Sequence, residues 1–288
     1  MSPRDALLLG RVSNLPTVWT NFLAGAVLVG ATLTVDVAIA AVIALTLFYV
    51  GGMYLNDAFD AGIDAKERPE RPIPSGRVSK NTVMTLGFGL LVLGTAGLGL
   101  AGTLSGTGWL PALAGLGLAA AIVLYNAWHK GNPLSPFIMG VCRMLVYIAA
   151  ALTLSSDLNG AVLVGALVLL AYLIGLTYVA KQENIGTVSN MWPLLFLATP
   201  VLVGLWQSSQ SIWMWLFVAG LLAWILFALK FIRRAGPGDI PRAVISLIAG
   251  ICIVDGLLIA GAGHPELGAL ALAGFVLTLA LQRFVPGT

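Results

Sequence analysis

Residues 37–80 read VAIAAVIALTLFYVGGMYLNDAFDAGIDAKERPERPIPSGRVSK. The first part, 37–55, carries no charge, whereas 56–80 holds five Asp or Glu and five Lys or Arg residues. An apolar run of about 18 or more residues is long enough to cross the hydrocarbon core of a bilayer as a helix. The run lacks the alternation of a barrel strand, and a lipid-embedded backbone must satisfy its polar groups internally. The stretch therefore reads as a membrane helix that emerges directly into a charged segment at one membrane surface.

The rest of the chain repeats the first half of that pattern without the second. Of 288 residues, 59% are hydrophobic and 9% charged, with a mean hydropathy of +0.96, which excludes an ordinary soluble domain. Ten segments are apolar enough to be candidate spans: 15–33, 37–55, 82–101, 109–128, 134–154, 160–180, 191–207, 211–231, 241–261 and 267–284, with 191–207 and 267–284 the shortest. The expected fold class is all-α, one polytopic helical bundle over 1–288 with about nine or ten transmembrane helices. The opening MSPRDALLLGRVSNLP has too short an apolar core and no small-residue cleavage site for a signal peptide, so the first span is expected to be retained.

Fourteen of the fifteen basic residues fall at one set of alternate connections and at the termini; the other, Arg143, lies inside a span. The loops near Asp36, Ser105, Asp157, Ser209 and His264 carry none. By the positive-inside rule both termini and the charged loops face the cytoplasm, and the expected setting is a bacterial inner membrane. The net charge of +3 is then a membrane-facing bias and implies no nucleic-acid partner. Cys142 and Cys252 fall within spans and read as packing residues. His129 and His264 lie at span ends with no ligand spacing and read as loop residues.

On a helix extended past residue 55, Asn56, Asp60, Asp64 and Asp57 sit at about 0°, 40°, 80° and 100° around the axis. Three carboxylates on one stripe repel one another unless a cation offsets them. Hard divalent ions suit such ligands, and Mg²⁺ is commonly shared between a few carboxylates and a phosphorylated substrate. Arg68, Arg71 and Arg77 follow at once and suit phosphate oxygens. The plainer alternative is a solvated juxtamembrane loop that only sets topology.

The segment NDAFDAGIDAKERPERPIPSGRVS resembles the first aspartate-rich motif of the UbiA superfamily of intramembrane prenyltransferases. Asn56, Asp57, Asp60 and Asp64 match its Asn-Asp-x-x-Asp-x-x-x-Asp, and Arg71, Pro72, Ile73 and Gly76 match the Arg-Pro segment that follows. The opening GRVSNLPTVWTNFLAG is similar to the family's first helix, with Arg11, Asn14, Pro16 and Asn21 in place. The resemblance implies two four-helix pseudo-repeats, a Mg²⁺–diphosphate site at the first motif, and an apolar cavity for an isoprenoid tail. The implied reaction is ionisation of an isoprenoid diphosphate and capture of the allylic cation by a lipophilic or aromatic acceptor within the bilayer.

The chain departs from the family at the second aspartate-rich motif. The matching stretch TYVAKQENIGTVSN, 177–190, has Glu183 as its only acid, with Tyr178, Lys181, Gln182 and Asn184 around it. It resembles the Tyr/Lys form found in a subset of the superfamily. On this reading Asp57, Asp60, Asp64 and Lys181 carry the chemistry. Asn56, Asp57, Asp60, Asp64 and Glu183 hold the metal, and Asn21, Asn56, Arg68, Arg71, Arg143, Tyr178 and Asn184 contact substrate. Arg143 and Asp255 are intramembrane charges, which face a cavity or a partner. Arg143 is open between the substrate and a structural contact, and Asp255 reads as structural. Tyr49, Phe48, Tyr125 and Tyr147 are candidates for the pocket wall or for packing. The alternatives are a lipid transporter and a non-catalytic relative that binds a prenyl lipid.

Overall fold

The computed structural model describes residues 1–182, 190–207, 212–234 and 236–287, which form eleven α-helices and, among the described residues, no strand. A short α1 (Pro3–Leu9) leads through a 3₁₀ turn (Val12–Asn14) into α2 (Leu15–Val29). Then follow α3 (Val35–Glu67), α4 (Lys80–Ser105), α5 (Leu110–Trp128), α6 (Ser135–Leu152) and α7 (Gly160–Lys181). A 3₁₀ segment (Trp192–Ala198) runs into α8 (Thr199–Gln207), and α9 (Ile212–Arg234), α10 (Asp239–Gly261) and α11 (Pro265–Leu281) complete the bundle.

The helix limits follow local chemistry. Ser79 and Asn159 cap α4 and α7 by accepting from the backbone N–H of Thr82 and Val162. Gly30 and Gly106 end α2 and α4 in the left-handed conformation that an L side chain resists. The ten apolar segments are helical over most of their described length, with Trp192–Ala198 in 3₁₀ form. Among the described residues, eight helices are long and apolar enough to cross a membrane, while Trp192–Gln207 and Pro265–Leu281 are shorter. The exposed perimeter is apolar on helix after helix, for example at Ile39, Ile43, Val92, Leu116, Leu167 and Leu226. A belt of that extent needs lipid around it, and the chain is an integral, multi-pass membrane protein. The short α1 is an addition to the sequence reading; its amphipathic stretch is only seven residues long.

Two apolar cores hold the helices. One is built from α2 to α6 around Phe48, Leu55, Leu98 and Leu118, the other from α2 and α6 to α11 around Tyr172, Leu197, Leu221 and Leu257. Helices α2 and α6 contribute to both cores, so their contact face is the seam of the molecule. Helix α10 is the most enclosed of the candidate spans, with every residue from Ala249 to Ala260 buried.

The helix α3 has 33 residues, about 50 Å at 1.5 Å per residue, against a hydrocarbon core of about 30 Å. Its last three turns therefore project beyond the apolar layer, and they carry the acidic stripe. Close packing against α4 holds this long helix in place. A Cβ on Gly51 would stand 2.9 Å from the Gly87 carbonyl oxygen, so the two backbones approach as closely as glycine allows.

Candidate active site

The projecting end of α3 forms one wall of a cavity of about 350 Å³. Asn56, Asp60 and Asp64 line it, followed by Glu67, Arg68 and Arg71. Across the space, α7 contributes Leu173, Leu176, Thr177 and Lys181, and α10 contributes Val244, Ile248 and Ile251. Lys181 and Asp60 thus share one chamber, which puts the last turns of α3 and α7 at the same end of the bundle.

Each carboxylate of the stripe has a cationic partner. Arg71 Nη1 lies 2.8 Å from Asp64 Oδ2 and 3.5 Å from Asp57 Oδ1. Arg11 Nη2 lies 2.9 Å from the same Asp57 oxygen. Asp60 Oδ2 faces His129 Nε2 at 3.3 Å and Lys130 Nζ at 3.4 Å. Asn56 Nδ2 donates to Asn126 Oδ1 at 3.1 Å, and Asn126 Nδ2 donates to the Gly52 carbonyl at 3.1 Å. That chain fixes the Asn56 amide so that its nitrogen is engaged and its oxygen is left for a cation. Arg11 reaches the site because its backbone adopts φ 40°, ψ 48°, a left-handed conformation rare for a side chain of this size. The Tyr49 hydroxyl helps hold that turn by donating to the Arg11 carbonyl at 3.3 Å.

The geometry places several of the residues singled out in the sequence away from the chamber wall and brings others to it. Asp57 is absent from the cavity wall and bound to Arg11 and Arg71 instead; about 100° around the helix from Asn56, it is the member turned farthest from the chamber. Arg77 does not face the chamber. Its Nε donates to Asp5 at 2.9 Å and its Nη2 to the Glu70 carbonyl at 3.0 Å, and hydrogen bonds from Ser2 and Arg77 hold the Asp5 carboxyl below its usual range. Tyr178 lies outside the cavity wall and donates to the Asn190 carbonyl at 2.8 Å. Asn21 is fully buried and bonds to Arg143 and Asp255, away from the chamber. His129, read as a loop residue, faces Asp60 and stacks on Tyr125 with ring centres 4.9 Å apart. Glu183 and Asn184 lie outside the described residues.

Sequence reasoning missed Arg11, Asn126, His129, Lys130 and Thr177 as site residues. Arg11 lay within a quoted motif, but nothing in its neighbours indicated a contact to a residue 46 positions away. Lys181 lines the chamber and donates to the Asn132 carbonyl at 2.5 Å.

A smaller apolar slot of about 80 Å³ adjoins the chamber, lined by Val18, Leu45, Phe48, Leu118, Ile122 and Val146 among others. Tyr49, Met53, Tyr125, Met139 and Arg143 belong to both walls. The two spaces therefore meet at a junction with two phenol rings and one guanidinium, whose carbon lies 5.6 Å from the centre of the Tyr49 ring. A charged head at the acidic end and a hydrocarbon tail in the slot would place the bond between them at this junction.

Among the described residues no three Asp, Glu, His or Cys side chains converge closely enough to hold a metal alone. The closed three-carboxylate cluster suggested by the spacing is not assembled, because Asp57 is taken by guanidinium groups. Asn56, Asp60 and Asp64 remain as hard oxygen donors on the cavity wall. That set fits Mg²⁺ as an open site, in which water and substrate phosphate complete the coordination.

Residues 15–249 match the UbiA prenyltransferase family. The chain is 34% identical over 132 residues to a digeranylgeranylglyceryl phosphate synthase of Methanopyrus kandleri, covering 46% of each chain. It is also 34% identical over 136 residues to the chloroplastic chlorophyll synthase of Oryza sativa subsp. japonica, covering 47% of this chain and 29% of that one. The matched stretches thus span less than half the length of these curated relatives. Among solved structures, a UbiA homologue from Aeropyrum pernix K1 in its apo form aligns with a TM-score of 0.67 at 17% identity, covering 88% of this chain and 98% of that one. A homologue from Archaeoglobus fulgidus bound to GPP and Mg²⁺ aligns at 0.61 and 13%, covering 93% and 99%. At these identities the structures share the fold. With the family match spanning both cores and the acidic stripe at the chamber, the chain belongs to the UbiA prenyltransferase family.

Proposed function

We propose that this protein is an intramembrane prenyltransferase that ionises an isoprenoid diphosphate and transfers the prenyl group to a lipophilic or aromatic acceptor. The observation that carries the reading is the continuity between a chamber of carboxylates and basic groups and an apolar slot, with Arg143, Tyr49 and Tyr125 where they meet.

Arg68, Arg71 and Lys181 receive the diphosphate oxygens at the polar end, and the slot takes the first part of the tail and excludes water from it. Asn56, Asp60 and Asp64 would hold Mg²⁺, which when bound supplies positive charge against the leaving group. The allylic C1–O bond breaks with its electron pair leaving on the diphosphate. The faces of Tyr49 and Tyr125 stabilise the carbon cation electrostatically. The acceptor forms the new bond to C1, and its proton leaves to water at the polar rim, where Lys130 is half exposed. The single-domain organisation, the placement of the chamber on the cytoplasmic side and the bacterial inner membrane belong to the same proposal, supported by the basic residues at that end.

Purified protein in lipid nanodiscs, given labelled prenyl diphosphates of several lengths and a lipid extract, should release diphosphate and form a prenylated lipid only with Mg²⁺ present. Asp60→Ala should abolish both while the protein still inserts. Absence of Mg²⁺-dependent turnover with every chain length would favour a non-catalytic prenyl-lipid binder.

A further inference from the structure

The seam between α2, α6 and α10 holds a second polar group that the chamber does not explain. Asp255 is fully buried in the second half of α10. The Asn21 amide nitrogen lies 2.9 Å from both of its oxygens, the Thr20 hydroxyl 2.5 Å from Oδ2, and the Tyr147 hydroxyl donates to Oδ1. On its other side Asn21 Oδ1 accepts from Arg143 Nη1 at 2.8 Å, and Arg143 Nη2 donates to Thr17 at 3.1 Å.

The direction of this chain is determined by chemistry. A guanidinium only donates, so the Asn21 atom facing Arg143 is the oxygen. The amide nitrogen must then face Asp255, which accepts. The carboxyl group on α10 is thereby coupled to the guanidinium on α6 through one polarised amide. Packing sets the register. A Cβ on Gly25 would stand 2.7 Å from the Tyr147 carbonyl oxygen and 2.8 Å from Ala150, so α2 and α6 touch there. One turn back, Asn21 on α2 meets Arg143 on α6. Because Asn21 stands between the two groups, Arg143 is not folded onto Asp255 and keeps a face on the junction of chamber and slot. A buried charge pair contributes little net stability by itself; the visible consequence here is the orientation of Arg143.

We propose that Asp255 is a positioning residue for prenyl transfer, acting through Asn21 to hold the Arg143 guanidinium where the C1–O bond of a bound prenyl diphosphate breaks. The inference rests on the prenyltransferase reading. Asp255 itself touches neither space; Arg143 is the group that faces the substrate.

The test combines steady-state kinetics with thermal unfolding. Asp255→Asn should lower kcat by about 10- to 100-fold with KM for the prenyl diphosphate changed by less than about threefold, the pattern of an interaction made in the transition state. In an Arg143→Ala background the same substitution should cost no further activity. The exchange Asn21→Asp with Asp255→Asn places the carboxylate directly against Arg143 and should restore most of kcat. Wild-type kcat in Asp255→Asn, an undiminished loss in the Arg143→Ala background, or an exchange variant as slow as the single one would each overturn the proposal. Should Asp255→Asn fail to insert, Asn21→Leu breaks the relay while leaving Asp255 its Thr20 and Tyr147 donors. It should show the same loss of kcat, and unchanged turnover in it would overturn the proposal equally. Absence of turnover in the unaltered protein would instead sink the prenyltransferase reading, so the two failures are distinguishable.

Discussion

Arg71 is the residue on which the two roles of the acidic stripe can be separated. Its guanidinium bridges Asp64 at 2.8 Å and Asp57 at 3.5 Å, with side chains only 5% and 7% exposed for the acids and 16% for the arginine. Two unit charges about 4 Å apart attract by about 4 kcal/mol at the effective dielectric of such a site. Desolvation offsets part of this in the intact protein, but removing one partner leaves a buried carboxylate exposed to the full penalty. Asp57 retains Arg11 at 2.9 Å, whereas Asp64 loses the guanidinium that lies 2.8 Å from it. Arg71→Ala should therefore cost about 2–4 kcal/mol of stability. It should also weaken prenyl-diphosphate binding by about 10- to 150-fold through loss of one charge-assisted contact. Arg71→Lys should recover only part of each, because a point charge cannot span both carboxylates. Unfolding in detergent can be followed with a thiol-reactive dye, since Cys142 and Cys252 are both buried. The decisive variant is Arg71→Ala with Asp64→Asn: it removes the orphaned charge and should regain most of the stability but none of the affinity. Recovery of affinity in that double variant, or an Arg71→Ala protein unchanged in both measures, would refute the reasoning.

Three further outcomes are expected. Lys181→Ala should lower diphosphate affinity by about 10- to 150-fold with Lys181→Arg intermediate, a titration in which unchanged binding would reduce this side chain to a tether for the Asn132 carbonyl. Asn126→Leu frees the Asn56 amide to turn its nitrogen toward the chamber, so the Mg²⁺ concentration for half-maximal turnover should rise several-fold, about what one lost neutral ligand costs; an identical Mg²⁺ curve would show that Asn56 does not face the ion. Because the folded Asp5 carboxyl is held below its usual range, its contribution to stability is present above the ordinary carboxylate value and is lost as pH falls through the folded value. Arg77→Met should thus shift acid unfolding to higher pH while leaving the neutral-pH activity of the chamber in place, and coincident acid-unfolding curves would argue against that contact.

The resemblance carried by residues 56–76 made the chemistry legible, because a helix repeats its faces every few residues and the motif is contiguous. The same angular reasoning placed Asp57 on the stripe, and there it was incomplete. Angle around one helix shows which residues share a side, but not which neighbouring helix that side meets. Asp57 faces Arg11, Asp60 faces His129, and Asn56 faces Asn126, three partners from the turn ahead of α2 and the end of α5. His129 looked like a loop residue for the same reason: its partner is remote in sequence, and it has no periodic context at the end of its helix.

Hydropathy and the distribution of basic residues are sums over neighbouring positions, so the sequence by itself determined that this chain is a membrane helical bundle with its charge gathered at one end. The acidic stripe, the Arg-Pro segment and the altered second motif are likewise local, and the family could be read from them. What only the tertiary structure decided is where charge meets charge. Asn21, Arg143 and Asp255 come from helices α2, α6 and α10, up to 234 residues apart, and their meeting depends on a backbone contact at Gly25 that admits no side chain. Helix rotation and approach arise from the packing of every face at once, a property of the assembled bundle that no single segment encodes.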